Sequence, residues 1–223
     1  ANCCKLLRHI SGENVTNIVS VTTEDTFELI NAGFEDWSFA DKCYWPYAEG
    51  ASSFWGTGNP GATTLGESFN LTTPNTNDVR PGSSGHTSAN LQSMFPNMAG
   101  VGKFAAGNLF LGRFAGTFGT NGVVFFGRPC SARPVALRGW VKYNCGTIDK
   151  VNKVPASRPD IGMGSKDEGQ IMVAVGDWTA AEYGGDVDSP VAIDTRDENT
   201  FFDAKGKNVI GVGELIFKES TDG

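Results

Sequence analysis

The sequence lacks most of the features that define membrane, nucleic-acid-binding and zinc proteins. It contains no apolar run of about 18 residues, so no segment is predicted to span a bilayer as a helix. Its 18 Lys and Arg residues form no cluster and are outnumbered by 25 Asp and Glu residues, which leaves a net charge of −7. Because basic contacts to phosphate dominate affinity for nucleic acid, this balance excludes nucleic acid as an expected partner, and it also argues against an anionic membrane surface.

Histidine and closely paired cysteines are scarce as well. Only two histidines occur, and the five cysteines include no Cys-x-x-Cys pair, so a zinc site is not expected. No Gly-x-Ser-x-Gly elbow is present, which argues against a serine hydrolase. The sequence does not decide whether two of Cys43, Cys130 and Cys145 form a disulfide, but free buried thiols are favoured. Cys3 lies where an exported lipoprotein carries its lipid, although the residues before it match such a signal poorly.

Glycine and short apolar stretches are what the sequence has in abundance. Glycine accounts for 29 of 223 residues, which is nearly twice the average usage of about 7%. No long helical periodicity is present, and many short apolar segments are separated by Gly, Asn, Ser and Thr. This pattern predicts an all-β fold, either a sandwich or a barrel.

The first clear strand and turn lie at residues 27–33. The stretch Phe27–Ile30 is patterned as a strand, and Asn31-Ala32-Gly33 is a turn signal. Residues 1–26 are polar and weakly patterned, and we interpret them as a linker or the remnant of an upstream module. Residues 27–223 are predicted to form a single domain.

The clearest alternation of apolar and polar residues runs from Pro134 to Tyr143. It places Leu137 and Val141 on a predicted core face and Trp140 on the opposite face. The Asn121-Gly122 step predicts a tight hairpin turn. Three further strands are predicted at His86–Ser93, Gln170–Trp178 and Asn208–Phe217.

A long loop rich in aromatic side chains occupies residues 39–62. It carries Trp45 and Trp55 together with two tyrosines. Loops of this length without regular structure are usually functional or disordered, and so many aromatic residues argue against disorder. Two interpretations stay open: a loop folded over a small core of its own, or a platform on which sugar rings stack. In the second interpretation, the side-chain amide of Asn59 forms a hydrogen bond with a sugar hydroxyl.

Trp140 is a second candidate for contact with a sugar. It lies between Arg138 and Lys142 on one face of its predicted strand. Two interpretations stay open here too, a cation–π cluster on the surface or the floor of a groove. The candidate ligand-binding residues are Trp45, Trp55, Asn59, Arg113 and Trp140.

Several spaced motifs resemble one known family. Asn31-x-Gly33-Phe34-Glu35-x-Trp37 followed by Gly85-x-x-x-Ala89-x-Leu91 is similar to the opening of jelly-roll carbohydrate-binding modules. More specifically, over about residues 27–220 the chain resembles the putative carbohydrate metabolism domain family of gut anaerobic bacteria. The motifs behind this resemblance are Trp55-x-x-Gly58-Asn59, Phe104-Ala105-Ala106-Gly107-Asn108-Leu109-Phe110-x-Gly112, Phe126-Gly127-x-Pro129, Arg133-Pro134-x-x-Leu137-x-Gly139-x-x-x-Tyr143 and the strand around Gly213-Glu214-Leu215.

This resemblance implies a jelly-roll β-sandwich of two antiparallel sheets, secreted or exposed at the cell surface and linked to glycan use. In similar modules the Glu of the Asn-x-Gly-Phe-Glu motif helps to hold a structural calcium ion, and that residue is Glu35 here. Calcium takes about six to eight oxygen ligands, so the alternative for Glu35 is a turn hydrogen bond or a salt bridge to an arginine. The Leu-x-Val-Asp-Asp-like closing strand of such jelly rolls is missing, so we expect the last strand or strands to be absent or supplied by another chain.

Two functions of different classes follow from these features. The first is a noncatalytic domain that binds an oligo- or polysaccharide through its tryptophans. The alternative is a glycoside hydrolase-like enzyme, which needs two carboxylates roughly 5–9.5 Å apart across a groove, one of them with a raised pKa. The carboxylates considered for that role are Asp160, Asp167, Glu168, Asp177 and Glu214. A third option is a structural surface domain whose aromatic residues are all buried.

Overall fold

The computed structural model describes residues 3–4, 21–22, 29–98, 101–132, 134, 136–151, 154 and 158–221. Strands make up 34% and helices 9%, which confirms the predicted all-β class. The strands are β1 (Cys3–Cys4), β2 (Val21–Thr22), β3 (Ser38–Ala40), β4 (Cys43–Trp45), β5 (Trp55–Thr57), β6 (Thr72–Asn75), β7 (Ser88–Leu91), β8 (Asn97–Met98), β9 (Val101–Gly102), β10 (Leu109–Phe118), β11 (Asn121–Phe126), β12 (Gly169–Gly176), β13 (Val191–Asp194) and β14 (Val209–Phe217). The helices are α1 (Asn59–Ala62), α2 (Ala180–Tyr183) and the 3-10 helices Thr63–Leu65, Glu67–Phe69 and Glu198–Thr200.

The strands pair in antiparallel sheets, as predicted, and they do not close into a barrel. The largest sheet has four strands in the order β13–β11–β10–β5. The other pairs are two-stranded: β1–β2, β3–β4, β6–β7, β8–β9 and β12–β14. The described part of the chain is therefore consistent with a β-sandwich, and it is divided into one larger sheet and several ribbons.

Glycine allows the strands of the four-stranded sheet to approach closely. The rings of Phe110 and Phe126 stack across this sheet with centroids 4.7 Å apart. A Cβ atom at Gly56 in β5 would lie only 2.6 Å from the Phe110 ring. Gly112 has a φ of +141°, and a Cβ there would lie 2.0 Å from the carbonyl oxygen of Phe125. Side chains at these two glycines would force the strands apart.

The best-buried part of the fold lies where β4, β5, α1 and β6 meet. Leu71 is buried here together with the polar residues Thr57, Asn59 and Thr72. The Thr72 N–H donates to Asn59 Oδ1 over 2.9 Å, and the Thr72 hydroxyl donates to the Asn108 carbonyl oxygen over 2.6 Å. Buried polar groups destabilise a fold unless they are hydrogen-bonded, so these bonds fix the segments relative to one another.

Three predicted strands are confirmed, with small changes of their bounds. β7, β12 and β14 occupy the segments predicted around residues 86–93, 170–178 and 208–217. The hairpin predicted near Asn121-Gly122 exists between β10 and β11, but its loop is Gly119-Thr120, because Asn121 already pairs with Phe118. Gly119 takes the positive φ of +62° that a tight turn requires.

The strand predicted from Pro134 to Tyr143 is wrong. Residues 134 and 136–143 form no strand, and Leu137 and Val141, which were assigned to a core face, are exposed. The segment is attached through its end, where the Tyr143 N–H donates to Thr221 Oγ1 over 2.8 Å. Alternation indicates two faces, but it does not supply the neighbouring strand whose hydrogen bonds make a segment a β-strand.

The turn at residues 30–33 is confirmed, with the Phe34 N–H donating to the Asn31 carbonyl oxygen over 3.0 Å. The strand expected before it is not seen at residues 29–30, and residues 27–28 lie outside the described part of the chain. The expected loss or replacement of a closing strand stays a prediction. The domain boundary placed between residues 26 and 27 also stays a prediction.

Cys43, Cys130 and Cys145 are free thiols, as favoured from the sequence. Only Cys43 is buried; Cys130 is exposed and Cys145 is half-buried. Among the described residues, no helix is long and apolar enough to cross a bilayer.

Candidate functional site

The candidate site is built on the β3–β4 hairpin, which begins inside the aromatic segment. Phe39 pairs with Tyr44 across this hairpin, and Ala40 pairs with Cys43 next to the turn. The two turn residues, Asp41 and Lys42, both have positive φ, at +50° and +67°. Two consecutive positive φ values are the mark of the type I′ turn, whose twist matches that of a two-stranded hairpin.

Two buried asparagines fix the outer edge of β4 to the core. Asn70 Oδ1 accepts a hydrogen bond from the Tyr44 N–H over 2.9 Å, and its Nδ2 donates to the Lys42 carbonyl oxygen over 2.9 Å. Asn59 Nδ2 donates to the Tyr44 carbonyl oxygen over 2.9 Å. Both backbone polar groups of Tyr44 are therefore satisfied by side chains, so the edge of the hairpin is bound without a third strand.

One groove lies on the face of the hairpin that carries Phe39 and Tyr44, and we call it the Tyr44 groove. The two rings meet edge to face with centroids 4.9 Å apart. The groove has a volume of about 440 Å³ and is lined by Phe39, Tyr44, Glu67, Ser68, Asn70, Thr73, Gln92 and Met94. It combines an aromatic wall with several hydrogen-bonding side chains.

A second groove, the Trp45 groove, lies on the other side of the hairpin. Trp45 and Tyr47 form its aromatic wall, with ring centroids 5.7 Å apart. Its volume is about 270 Å³, and its lining residues are Ser38, Phe39, Ala40, Asp41, Trp45, Tyr47, Glu49 and Gly50. Trp45 Nε1 donates to the Ala40 carbonyl oxygen over 3.2 Å, which fixes the indole against its own hairpin.

Phe39 lines both grooves, and 49% of it is exposed to solvent. An apolar ring in this position separates two shallow surfaces that each offer an aromatic face and polar groups. Burial also raises the pKa of Tyr47, and the nearby Cys43 adds to this effect.

Of the five ligand-binding residues predicted from the sequence, Trp45 alone lines one of these grooves. Asn59 lies beneath the hairpin and is fully buried. Its Nδ2 donates to Tyr44 and to the Thr72 carbonyl oxygen, the latter over 2.7 Å, while its Oδ1 accepts from the Thr72 N–H. Because its amide is committed to the backbone, we assign Asn59 a structural role rather than contact with a ligand.

Trp55 anchors the turn at residues 30–33 to β5. Its Nε1 donates to the Ile30 carbonyl oxygen over 2.7 Å. Its ring contacts Phe34 and Phe54, with centroid distances of 5.3 Å and 5.8 Å. Both the polar edge and part of the apolar surface of this indole are thus used inside the protein.

Arg113 is engaged with a carboxylate and an aromatic ring. Its Nη2 lies 2.6 Å from Asp186 Oδ2, and its guanidinium carbon lies 4.5 Å from the centroid of Phe125. Burial opposes ionisation of Asp186, but hydrogen bonds from Arg113 and from the backbone leave its pKa below the ordinary value. This pairing fixes Arg113 in the four-stranded sheet.

Trp140 is 75% exposed, but it lines neither groove of the hairpin. The cation over its ring is Arg80, whose guanidinium carbon lies 5.2 Å from the ring centroid. A single exposed indole beside a cation matches the cation–π interpretation better than the floor of a groove.

Glu35 forms a hydrogen-bonded connection between two loops. Its Oε2 accepts from the backbone N–H groups of His86 and Thr87, over 2.9 Å and 3.1 Å. No group of three or more His, Cys, Asp or Glu side chains capable of holding a metal occurs among the described residues. The donor set at Glu35 does not by itself fit a calcium ion, since one carboxylate oxygen already accepts two hydrogen bonds. Calcium binding at Glu35 stays a prediction.

Two of the carboxylates considered for glycoside hydrolysis, Asp160 and Glu168, are bound to one arginine. Arg158 Nη2 lies 2.8 Å from Asp160 and 2.9 Å from Glu168. Hydrogen bonds from Arg158 hold the pKa of Asp160 at about 2 and lower that of Glu168. Glu214 instead accepts a hydrogen bond from Gln170. A general acid requires a raised pKa, whereas the pKa values of Asp160 and Glu168 are lowered.

The groove residues that sequence reasoning missed include Phe39, Glu67 and Gln92. Phe39 begins the predicted loop, yet the segments Ser38-Phe39-Ala40 and Cys43-Tyr44-Trp45 flank a two-residue polar turn, which is a signal for a hairpin. Glu67 and Gln92 carried no local signal, because they come from separate segments that only the fold brings to the Tyr44 groove.

The fold and the grooves together define an all-β domain with two aromatic-walled surface grooves. Residues 33–215 match the family described as "Putative carbohydrate metabolism domain", and the chain belongs to this family. Comparison with curated proteins and with solved structures finds no match. The family resemblance predicted from the spaced motifs is thereby confirmed, and a role in carbohydrate metabolism is supported at the level of the family.

Proposed function

We propose that this domain binds a glycan at the β3–β4 hairpin and does not cleave it. The observation that carries the proposal is the position of Phe39, a half-exposed ring between two grooves that are each walled by further aromatic residues. Sugar rings present apolar C–H faces and polar edges, and aromatic rings beside hydrogen-bonding side chains complement both.

The polar side chains of the Tyr44 groove are available to a ligand. Glu67, Ser68 and Gln92 are exposed, and their side chains form no hydrogen bond or ion pair within the described part of the chain. Asn70, by contrast, uses its amide to hold β4. The groove thus pairs a rigid aromatic wall with polar groups whose hydrogen-bonding capacity is unused, as recognition of sugar hydroxyls requires.

We also propose that the domain is secreted or displayed at the cell surface, where polysaccharides are met. The family's link to carbohydrate metabolism supports this location. Fractionation of the native host, with detection of this chain by antibody, tests it. Recovery only from the cytoplasmic fraction would contradict the proposal.

Glycan-array screening of the folded chain, followed by titration calorimetry on the hits, tests binding. We expect Phe39→Ala to weaken binding by about tenfold, since a buried aromatic contact contributes on the order of 1–2 kcal/mol. Phe104→Ala is the matched control, because Phe104 is a similarly exposed phenylalanine (52%) that lines neither groove. Equal binding by Phe39→Ala and the wild type would contradict the proposed site.

A second pair of variants compares Trp45 of the hairpin with the exposed Trp140. We expect Trp45→Ala to lose affinity and Trp140→Ala to keep it, because Trp45 walls a groove whereas Trp140 lies under Arg80. The same hits are incubated with the protein and analysed for shortened products. Turnover would favour the glycoside hydrolase alternative over a binding domain.

A further inference from the structure

The two grooves are lined by three carboxylates that form no ion pair within the described part of the chain. Asp41 and Glu49 line the Trp45 groove, and Glu67 lines the Tyr44 groove. All three are exposed, and within the described residues none of them takes part in an ion pair. No lysine or arginine is among the lining residues of either groove.

Other carboxylates of the described part of the chain are ion-paired, as in Arg113–Asp186 at 2.6 Å, Arg158–Glu168 at 2.9 Å and Lys142–Asp78 at 2.5 Å. The chain as a whole carries a net charge of −7, which disfavours the approach of anionic ligands in general.

We infer that the hairpin selects glycans that carry protonated amino groups, such as oligomers of unacetylated hexosamine, and discriminates against uronic acid and sulfated glycans. The inference rests on the proposed function, because the aromatic grooves define the site and the charge only selects among sugars. An ammonium group placed over a groove gains Coulomb attraction to the carboxylates, whereas a carboxylate or sulfate is repelled by them. The sugar rings of amino-sugar glycans and of anionic glycans stack on the same aromatic walls, so only the charge distinguishes them.

Four oligosaccharides of equal length separate these contributions: a glucosamine oligomer, its fully N-acetylated form, a neutral glucose oligomer and a galacturonate oligomer. Titration calorimetry of the full chain at low salt is expected to give the glucosamine oligomer about tenfold tighter binding than the neutral one, from a few exposed charge contacts. High salt is expected to reduce this preference, since the charges are exposed to solvent. The galacturonate oligomer is expected to bind most weakly.

The decisive variant combines Asp41→Asn, Glu49→Gln and Glu67→Gln. We expect it to lose the preference for amino sugars and to keep the affinity for the neutral oligomer. The control, Asp149→Asn with Asp177→Asn and Glu219→Gln, removes the same number of charges from exposed positions outside both grooves.

The outcomes distinguish this inference from the proposed function. Binding of the neutral oligomer without a preference for the amino sugar would overturn the inference and leave the proposed function standing. A preference that persists in the groove variant, or that disappears equally in the control, would also overturn it. Failure of all four oligosaccharides and of the array to bind would overturn both.

Discussion

Asn70 and Tyr44 are joined by a hydrogen bond from a backbone N–H to a buried side-chain oxygen, with a length of 2.9 Å. The same asparagine donates to the carbonyl oxygens of Lys42 and Glu67, each over 2.9 Å. Together with Asn59, which donates to the Tyr44 carbonyl oxygen, this side chain takes the place of a strand at the edge of β4. It also connects the hairpin to the segment that contributes Glu67 to the Tyr44 groove.

Replacing Asn70 should destabilise the protein more than its size suggests. Asn70→Ala leaves one buried N–H and two carbonyl groups without their partner, and each unsatisfied buried group costs about 1–3 kcal/mol. We expect a total loss of roughly 2–4 kcal/mol in the free energy of unfolding, measured by urea denaturation. Asn77→Ala, at an exposed position whose side chain makes no hydrogen bond in the described part of the chain, should change little. Equal stability of the two variants would contradict the role given to Asn70.

The hairpin turn should become more stable when a glycine is introduced. Lys42 holds a φ of +67°, which costs a residue with a side chain roughly 1–2 kcal/mol relative to right-handed conformations. We expect Lys42→Gly to raise the free energy of unfolding by about 0.5–1 kcal/mol, after the greater flexibility of glycine in the unfolded chain is included. Lys205→Gly, at a loop position without positive φ, should be neutral or destabilising. A destabilised Lys42→Gly would contradict the turn geometry.

The ion pairs of Arg158 predict how acid affects stability. Hydrogen bonding to Arg158 lowers the pKa of Asp160 from 3.8 to about 2. A carboxyl group with a lowered pKa in the folded state contributes stability above its unfolded pKa, and this contribution is lost as pH falls through the folded pKa. The Tm difference between the wild type and Arg158→Gln should therefore be present at neutral pH and shrink between pH values of about 4 and 2.

The matched control for this experiment is Arg138→Gln, because Arg138 is exposed and has no ion-pair or hydrogen-bond partner among the described residues. Its Tm is expected to follow that of the wild type at every pH. A constant difference between the wild type and Arg158→Gln across the acid range would mean that Arg158 acts through packing rather than through its carboxylate partners.

Glu35 offers a test that separates a hydrogen-bonded connection from a calcium ligand. Its carboxylate accepts hydrogen bonds from two backbone N–H groups, so we expect Glu35→Ala to lower the midpoint of urea unfolding in chelator-treated protein. Calcium binding at Glu35 predicts in addition that calcium raises the Tm of the wild type and leaves that of Glu35→Ala unchanged. The same effect of calcium on both proteins would place any calcium site elsewhere.

The elements that could be predicted from the sequence are those whose pattern is local. β12 and β14 are strands of eight and nine residues that are apolar except for Gln170 and Glu214, and they pair with each other over nearly their whole length. The segment from Pro134 to Tyr143 has a clearer alternation and yet forms no strand in the described part of the chain. Strand formation depends on a partner at a distance in the sequence, and alternation does not identify that partner.

The roles of single site residues also depend on contacts that are distant in the sequence. Trp45 was predicted from its aromatic character alone, and it walls a groove. Asn59 was chosen for its amide, but its neighbours Tyr44 and Thr72 use that amide inside the core. Whether an amide faces a ligand or the backbone depends on burial, which is set by segments far away in the sequence and is not indicated by the residue type.

The bond between Asn70 and Tyr44 also provides a local spectroscopic probe. The Tyr44 amide proton is held by a side chain at the floor of the proposed site, and no neighbouring strand protects it. Its exchange with deuterium therefore depends on local opening of the hairpin rather than on a sheet. A glycan bound across the aromatic walls would slow this exchange selectively, so a single amide resonance would report occupancy of the grooves.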